Sequence, residues 1–164
     1  AFTMNTIHSM FFFKILENPG SPKFRRKIQF YMAIISKNGI NGDKNIFRSR
    51  KKNDPDKAIS ILTDDIILQL NKENWPVKPG HLGENLTFKN VNYSTIEPMQ
   101  IYSIGSTKIQ ISFACVPCST LKVLPYIGDE KIKEFTKTLI NRRGWYARVI
   151  KPGTITKNDL VFLL

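Results

Sequence analysis

The chain has 164 residues, 41% of them hydrophobic, and 25 Lys and Arg against 13 Asp and Glu, a net charge of +12. That length suits a single domain over residues 1–164 with its own core. The longest apolar runs, around Met10 to Phe13 and Tyr31 to Ile35, are far too short to span a membrane. Two cysteines with no export signal predict a reducing, cytoplasmic setting and a fold that needs no disulfide.

The charge is concentrated. Between Lys23 and Lys52 stand ten Lys or Arg and one acid, Asp43. Such a segment attracts anions: nucleic acid, an acidic partner or a phosphorylated ligand. A solvated lysine-rich face is the plainer reading, because no stacking-aromatic motif accompanies the charge.

In chain order, Met10 to Leu16 reads as a strand, followed by a Pro/Gly turn at Asn18 to Pro22. Lys27 to Ser36, rich in aromatic and β-branched residues, reads as a second strand. The polar, Gly-punctuated stretch Lys37 to Asp56 reads as one long loop. Ala58 to Leu62 is a short apolar strand. Thr63 then stands as an N-cap with Asp64 and Asp65 in the first turn, and Ile66, Ile67 and Leu70 make one face of a helix ending near Asn74. Trp75 to Leu82 is a loop, and a strand begins at Asn85 to Phe88. Lys108 to Phe113 alternates polar and apolar, as a half-buried strand does. A second helix is predicted from Asp129 to about Arg142, with Ile132, Phe135, Leu139 and Ile140 as its stripe and Gly144 closing it. Trp145 to Ile150 and Leu160 to Leu163 read as strands, joined through a Lys151-Pro152-Gly153 turn. Many short strands with two separated helices predict a mainly β, barrel-like domain rather than a parallel doubly wound sheet.

Both cysteines fall in Cys115-Val116-Pro117-Cys118, at the end of the Lys108 strand. A thioredoxin-like pair needs a helix beginning at the first cysteine, and Ser119 to Asp129 is poor helix. A zinc site needs two more ligands, and the chain has no other cysteine and only His8 and His81. One working thiol, or two small core residues, are the other readings. His81 is the central candidate for a base, with Glu84 or Asn85 to orient it, whereas His8 lies in the N-terminal tail region.

Two further segments carry chemistry. Gly80-His81-Leu82-Gly83-Glu84-Asn85-Leu86 has two glycines in four residues, then an acceptor and an amide able to read a polar ring edge. Without ligand, it is a turn entering a strand. Arg142-Arg143-Gly144-Trp145-Tyr146-Ala147-Arg148-Val149 combines cations with two large aromatics. Alternation sends Trp145, Ala147 and Val149 to one face and Tyr146 and Arg148 to the other, while Arg142 and Arg143 suit a helix C-terminus.

Gly39-Ile40-Asn41-Gly42-Asp43, Ala58 to Leu62, Pro79 to Leu86, Pro117-Cys118, Gly144 to Val149, Gly153 and Asp159 together resemble the MOSC domain, named for the C-terminal part of molybdenum-cofactor sulfurases. The resemblance spans about 39–163, leaving 1–38 as N-terminal strands of the same domain. It implies a β-barrel-type fold and makes Cys118 the reactive cysteine, which ligates molybdenum in a pterin cofactor or carries a persulfide. Stand-alone members resemble reductases of N-hydroxylated compounds. By the same resemblance Gly83, Glu84, Asn85, Tyr146 and Arg148 would bind the cofactor, Glu84 and Asn85 at the pterin ring and Arg148, with the basic segment, at its phosphate. An electron-donor protein or a cysteine desulfurase would be the partner, and pyridoxal phosphate binding is also implied.

The chain departs from the family pattern at two places. Members usually have an arginine three residues before the cysteine, where this chain has Cys115, a thiol placed to resolve an oxidised or persulfidated Cys118. Members often have a histidine before the Ala58 strand, where this chain reads Lys52-Asn53-Asp54-Pro55-Asp56-Lys57. Three functions follow as expectations: a molybdenum-cofactor oxidoreductase, a persulfide carrier or cofactor-handling module, and, less favoured, a nucleic-acid-binding barrel.

Overall fold

The computed structural model describes residues 4–16, 24–43 and 54–164. The expected turn at Asn18 to Pro22 and much of the basic segment lie outside the described residues. Those described form eleven strands: β1 (Thr6–Leu16), β2 (Phe24–Gln29), β3 (Met32–Ser36), β4 (Gly39–Ile40), β5 (Ile59–Thr63), β6 (Leu86–Lys89), β7 (Ile101–Ile104), β8 (Thr107–Ala114), β9 (Trp145–Lys151), β10 (Gly153–Thr156) and β11 (Val161–Leu163). Two α-helices join them, α1 (Asp64–Lys72) and α2 (Gly128–Thr138).

The main sheet runs β11-β7-β8-β9-β5-β6-β1-β2, and a smaller one runs β10-β3-β4. Near its start β1 meets the entry to β11. Thr6 bridges Leu160, Ile7 N–H donates to Asp159 at 3.0 Å and Val161 N–H to Asn5 at 2.9 Å. The large sheet therefore curls into a nearly closed barrel, which removes most exposed strand edge. The mainly β, barrel-like architecture is the one the strand pattern predicts.

One pairing is parallel, β5 with β6, with α1 as the crossover between them. A buried two-sided strand explains the apolar run of β5. Ile59 and Ile61 enter the barrel core with Ile7, Phe88, Ile104, Ile109 and Ala147. Leu62 faces a second core, built with Ile66, Leu70, Leu82, Tyr93, Leu121 and Phe135 beneath the two helices. Trp145 packs against both clusters.

Several predicted boundaries are corrected. The stretch read as one strand from Lys27 to Ser36 is two, because the chain bends at Phe30 and Tyr31. Phe30 N–H reaches back to Met10 at 3.3 Å, and Tyr31 accepts from Lys157 N–H at 2.7 Å. The two halves thus go to different sheets. The long loop contains β4 and a 3-10 turn at Pro55–Lys57, capped by the Asp54 side chain. β7 and β10 were missed: each is four residues long, and β10 has only Ile155 as an apolar signal. His8 lies in β1 rather than in a tail, exposed beside an irregularity between Ile7 and Ser9. Thr63 holds the N-cap position of α1 but makes no side-chain cap; Asp65 accepts from Ile66 N–H instead. α2 stops at Thr138, so Phe135 and Leu139 are buried while Ile140 is rotated out, 60% exposed. Among the described residues, no helix is long and apolar enough to cross a membrane.

Candidate functional site

The cysteine pair sits where β8 leaves the barrel. Ile109 and Ile111 point into the core, but the register of β8 against β9 shifts between Ile111 and Phe113. Such a bulge re-aims the residues that follow it. Phe113, which strict alternation would bury with Ile111, stands 39% exposed, its ring 5.5 Å from that of Tyr146.

Past the bulge the thiols part company. Cys115 is buried, and its N–H donates to the Gly144 carbonyl at 2.8 Å. Burial pushes its thiol up to about 12, against the pull of the nearby Arg143 guanidinium and a hydrogen bond with Tyr146. A thiol held there is protonated at neutral pH and a poor nucleophile. Cys118 is half-buried and lies against the hydroxyl of Thr120. It leads directly into a 3-10 turn at Ser119–Val123, in a stretch expected to lack helix. No α-helix starts at Cys115, as a thioredoxin-like pair would need. Cys118 is the accessible thiol of the two.

β9 forms the neighbouring wall. Tyr146 is half-buried, and burial raises its hydroxyl to about 12; it lies within electrostatic reach of Cys115, Cys118 and Arg143. Arg148 is exposed and bonded to Asp56 at 2.6 Å. The next residue of that turn, Lys57, places its ammonium 5.5 Å from the Phe113 ring centre and 5.7 Å from that of Tyr146. Stacked cation and rings are mutually favourable.

The start of β9 is fixed by Gly144. Its carbonyl accepts from the Tyr93 hydroxyl as well as from Cys115, and its N–H lies 3.1 Å from the same hydroxyl. Its φ is +111°, and a Cβ there would lie 2.4 Å from the Ile61 carbonyl oxygen. Only glycine fits.

The Gly80–Asn85 loop forms a third wall. Glu84 is buried, its carboxylate accepting from Gly80 N–H and from the Thr87 hydroxyl at 3.2 Å. Asn85 is also buried. Its Oδ1 accepts from Ser60 N–H at 3.0 Å and its Nδ2 donates to Asp43 at 3.2 Å. The Asn85 and Ser60 bonds tie the loop to β5. A Cβ on Gly83 would lie 3.6 Å from Arg143 Nη2, so Arg143 bridges this loop and the cysteine strand. His81 Nδ1 lies 2.9 Å from the Tyr126 hydroxyl, the two rings stacked at 5.8 Å. Burial, then the Glu84 charge, pushes Tyr126 up to about 12.

The structure thus brings Cys115, Cys118 and Tyr146 together, with Glu84 within electrostatic reach of Cys115. Arg148 stands further along β9, held by Asp56. Sequence reasoning had no role here for Lys57, Phe113 or Tyr93, and read Arg143 only as a helix-end cation. The Arg-Arg-Gly run was the one available signal for it. Among the described residues no group of three or more His, Cys, Asp or Glu is placed to hold a metal ion.

The model of the MOSC domain matches residues 48–162. YiiM from Geobacillus stearothermophilus superposes with a TM-score of 0.71 at 19% identity, over 98% of this chain and 75% of that one. YiiM from Escherichia coli gives 0.65 at 21% identity, over 94% and 69%. The YuaD protein from Bacillus subtilis gives 0.73 at 15% identity, over 96% and 94%. A comparison with curated proteins returns no match.

Proposed function

The chain belongs to the MOSC domain family, and from that premise we propose that it binds molybdenum cofactor through the thiolate of Cys118 and reduces N-hydroxylated compounds with electrons from a partner protein. The observation that carries this reading is the division of labour between the thiols: Cys115 buried and bonded, Cys118 accessible at the strand end.

The residues present fit such a group. A thiolate is the soft donor that molybdenum takes. The cations Lys57 and Arg143 lie within electrostatic reach of Cys115, and Lys57 stands over the Tyr146 ring; their charge suits a pterin phosphate. When bound, the molybdenum supplies the two-electron chemistry that cleaving an N–O bond requires. Cys118 would hold the metal. Gly83, Glu84 and Asn85 would form the loop side of the cofactor site, and Tyr146 and Arg148 its strand side. Glu84 and Asn85 would serve this site through the loop they hold: Glu84 accepts from Gly80 N–H, and Asn85 Oδ1 accepts from the Ser60 hydroxyl, which also reaches the Gly83 carbonyl. The test is metal analysis of protein co-expressed with cofactor synthesis. Molybdenum should co-purify with the native chain and be absent from Cys118→Ser; equal contents would refute the reading.

The accessibility of Cys118 also favours a second reading, a persulfide carrier loaded by a cysteine desulfurase. A single sulfur added at Cys118, detected by mass spectrometry in the absence of molybdenum, would favour it over the first.

A further inference from the structure

The segment from Asn38 to Asp43 holds two Asn-Gly steps, Asn38-Gly39 and Asn41-Gly42. In each, the glycine nitrogen can attack the side-chain amide carbon of the asparagine, because glycine has no Cβ to hinder the approach. The fold treats the two steps differently. Gly39 is buried in β4, in register with Ser36 of β3. The Ser36 hydroxyl donates to the Gly39 carbonyl at 3.1 Å and accepts from Asn38 N–H at 3.3 Å. That step is held on both sides. Asn41 and Gly42 are exposed on the turn that follows β4. Asp43 N–H closes this turn on the Ile40 carbonyl at 3.2 Å, while Gly42 N–H has no acceptor among the described residues. A Cβ on Gly42 would meet nothing within 4 Å, so this side of the turn is open.

We propose that Asn41 is a self-modification site. The Gly42 nitrogen bonds to Asn41 Cγ, the side-chain nitrogen leaves as ammonia with the Gly42 amide proton, and a succinimide ring closes. Water then opens the ring at either carbonyl, leaving aspartate or isoaspartate at position 41. The sum is asparagine plus water to a carboxylic acid plus ammonia, with no change of oxidation state. One negative charge enters a basic segment. Isoaspartate also adds a methylene to the backbone beside Asp43, whose carboxylate accepts from Asn85 Nδ2 at 3.2 Å. Asn85 holds the Ser60 N–H and hydroxyl, and that hydroxyl reaches the Gly83 carbonyl. Conversion at Asn41 therefore loosens the Gly80–Asn85 loop as the molecule ages.

The experiment incubates the native chain at neutral pH and physiological temperature, digests samples taken over several weeks, and reads the peptides by mass spectrometry with fragmentation that separates isoaspartate from aspartate. Asn41 should gain about 1 Da, at least about fivefold faster than Asn38. In concentrated urea the two steps should convert at similar rates, so that the native difference is traced to the fold. Gly42→Ala should slow conversion at Asn41 roughly tenfold and leave Asn38 unchanged. An Asn41 that stays intact in the folded chain, or an Asn38 that converts as fast, would overturn the proposal. The modified form, separated by ion exchange, should melt below fresh protein; an equal melt would overturn the link through Asp43 to Asn85.

Discussion

Replacing Gly144 by alanine tests whether the glycine before β9 is the fixed point of the cysteine wall. At φ +111° an alanine carries a backbone strain of about 1–3 kcal/mol. Its Cβ would also sit 2.4 Å from the Ile61 carbonyl oxygen. That oxygen belongs to β5, which pairs with β9 through Ile61 and Trp145, so it yields only if the pairing opens. The two costs together come to about 3–5 kcal/mol. With an unfolding entropy of about 2.1 cal/mol/K per residue, Tm should fall by roughly 10–15 °C in a chain of this size. Urea and thermal melts measure this. Gly128→Ala is the comparison, because φ there is also positive but a Cβ meets nothing within 4 Å; it should cost only about 1–2 kcal/mol. Gly144 also holds Cys115 through a carbonyl bond, so Gly144→Ala should expose Cys115 to alkylation under native conditions. A variant within about 1 kcal/mol of the native chain, with Cys115 still protected, would refute the reasoning.

Three other outcomes follow from the same geometry. Native alkylation should label Cys118 alone, and Cys115 should react only after denaturation; a double label in the folded state would contradict its burial. The Cys115 thiol, raised from an ordinary 9.0 to about 12, makes stability pH-dependent. The unfolded chain loses this proton first, so the contribution is complete below pH 9 and is lost as pH rises from 9 to 12, by at most about 1.4 kcal/mol per pH unit. Cys115→Ala should flatten that part of a denaturation-versus-pH curve, and an identical alkaline slope would count against it. Asn85→Ala should cost about 1–3 kcal/mol in urea melts, because it leaves the Ser60 N–H without its acceptor; a neutral substitution would show that the loop is held by other bonds.

Much of the fold was legible because its local signals were strong. The acids at Asp64 and Asp65 and the Ile66, Ile67 and Leu70 spacing mark α1, and the alternation from Lys108 marks β8. What could not be read depends on contacts distant in sequence. The split of Lys27 to Ser36 comes from hydrogen bonds to Met10 and Lys157, and the exposure of Phe113 comes from a bulge set by β9. Cys118, which the resemblance marks as the reactive cysteine, is the more accessible of the two thiols. The state of each arginine was not legible, since Glu73 and Asp56 are far from their partners in sequence.

The seam that joins Thr6 to Leu160 has a consequence for synthesis on the ribosome. A growing chain makes the β1 side of this seam early and receives the other side some 150 residues later. Until then Ile7 and Met10, both fully buried in the finished molecule, have an incomplete wall to pack against. Pairings this distant in sequence slow folding and lengthen exposure of apolar surface. Mutations along the seam should reduce the yield of folded protein more than they reduce the stability of molecules that have folded.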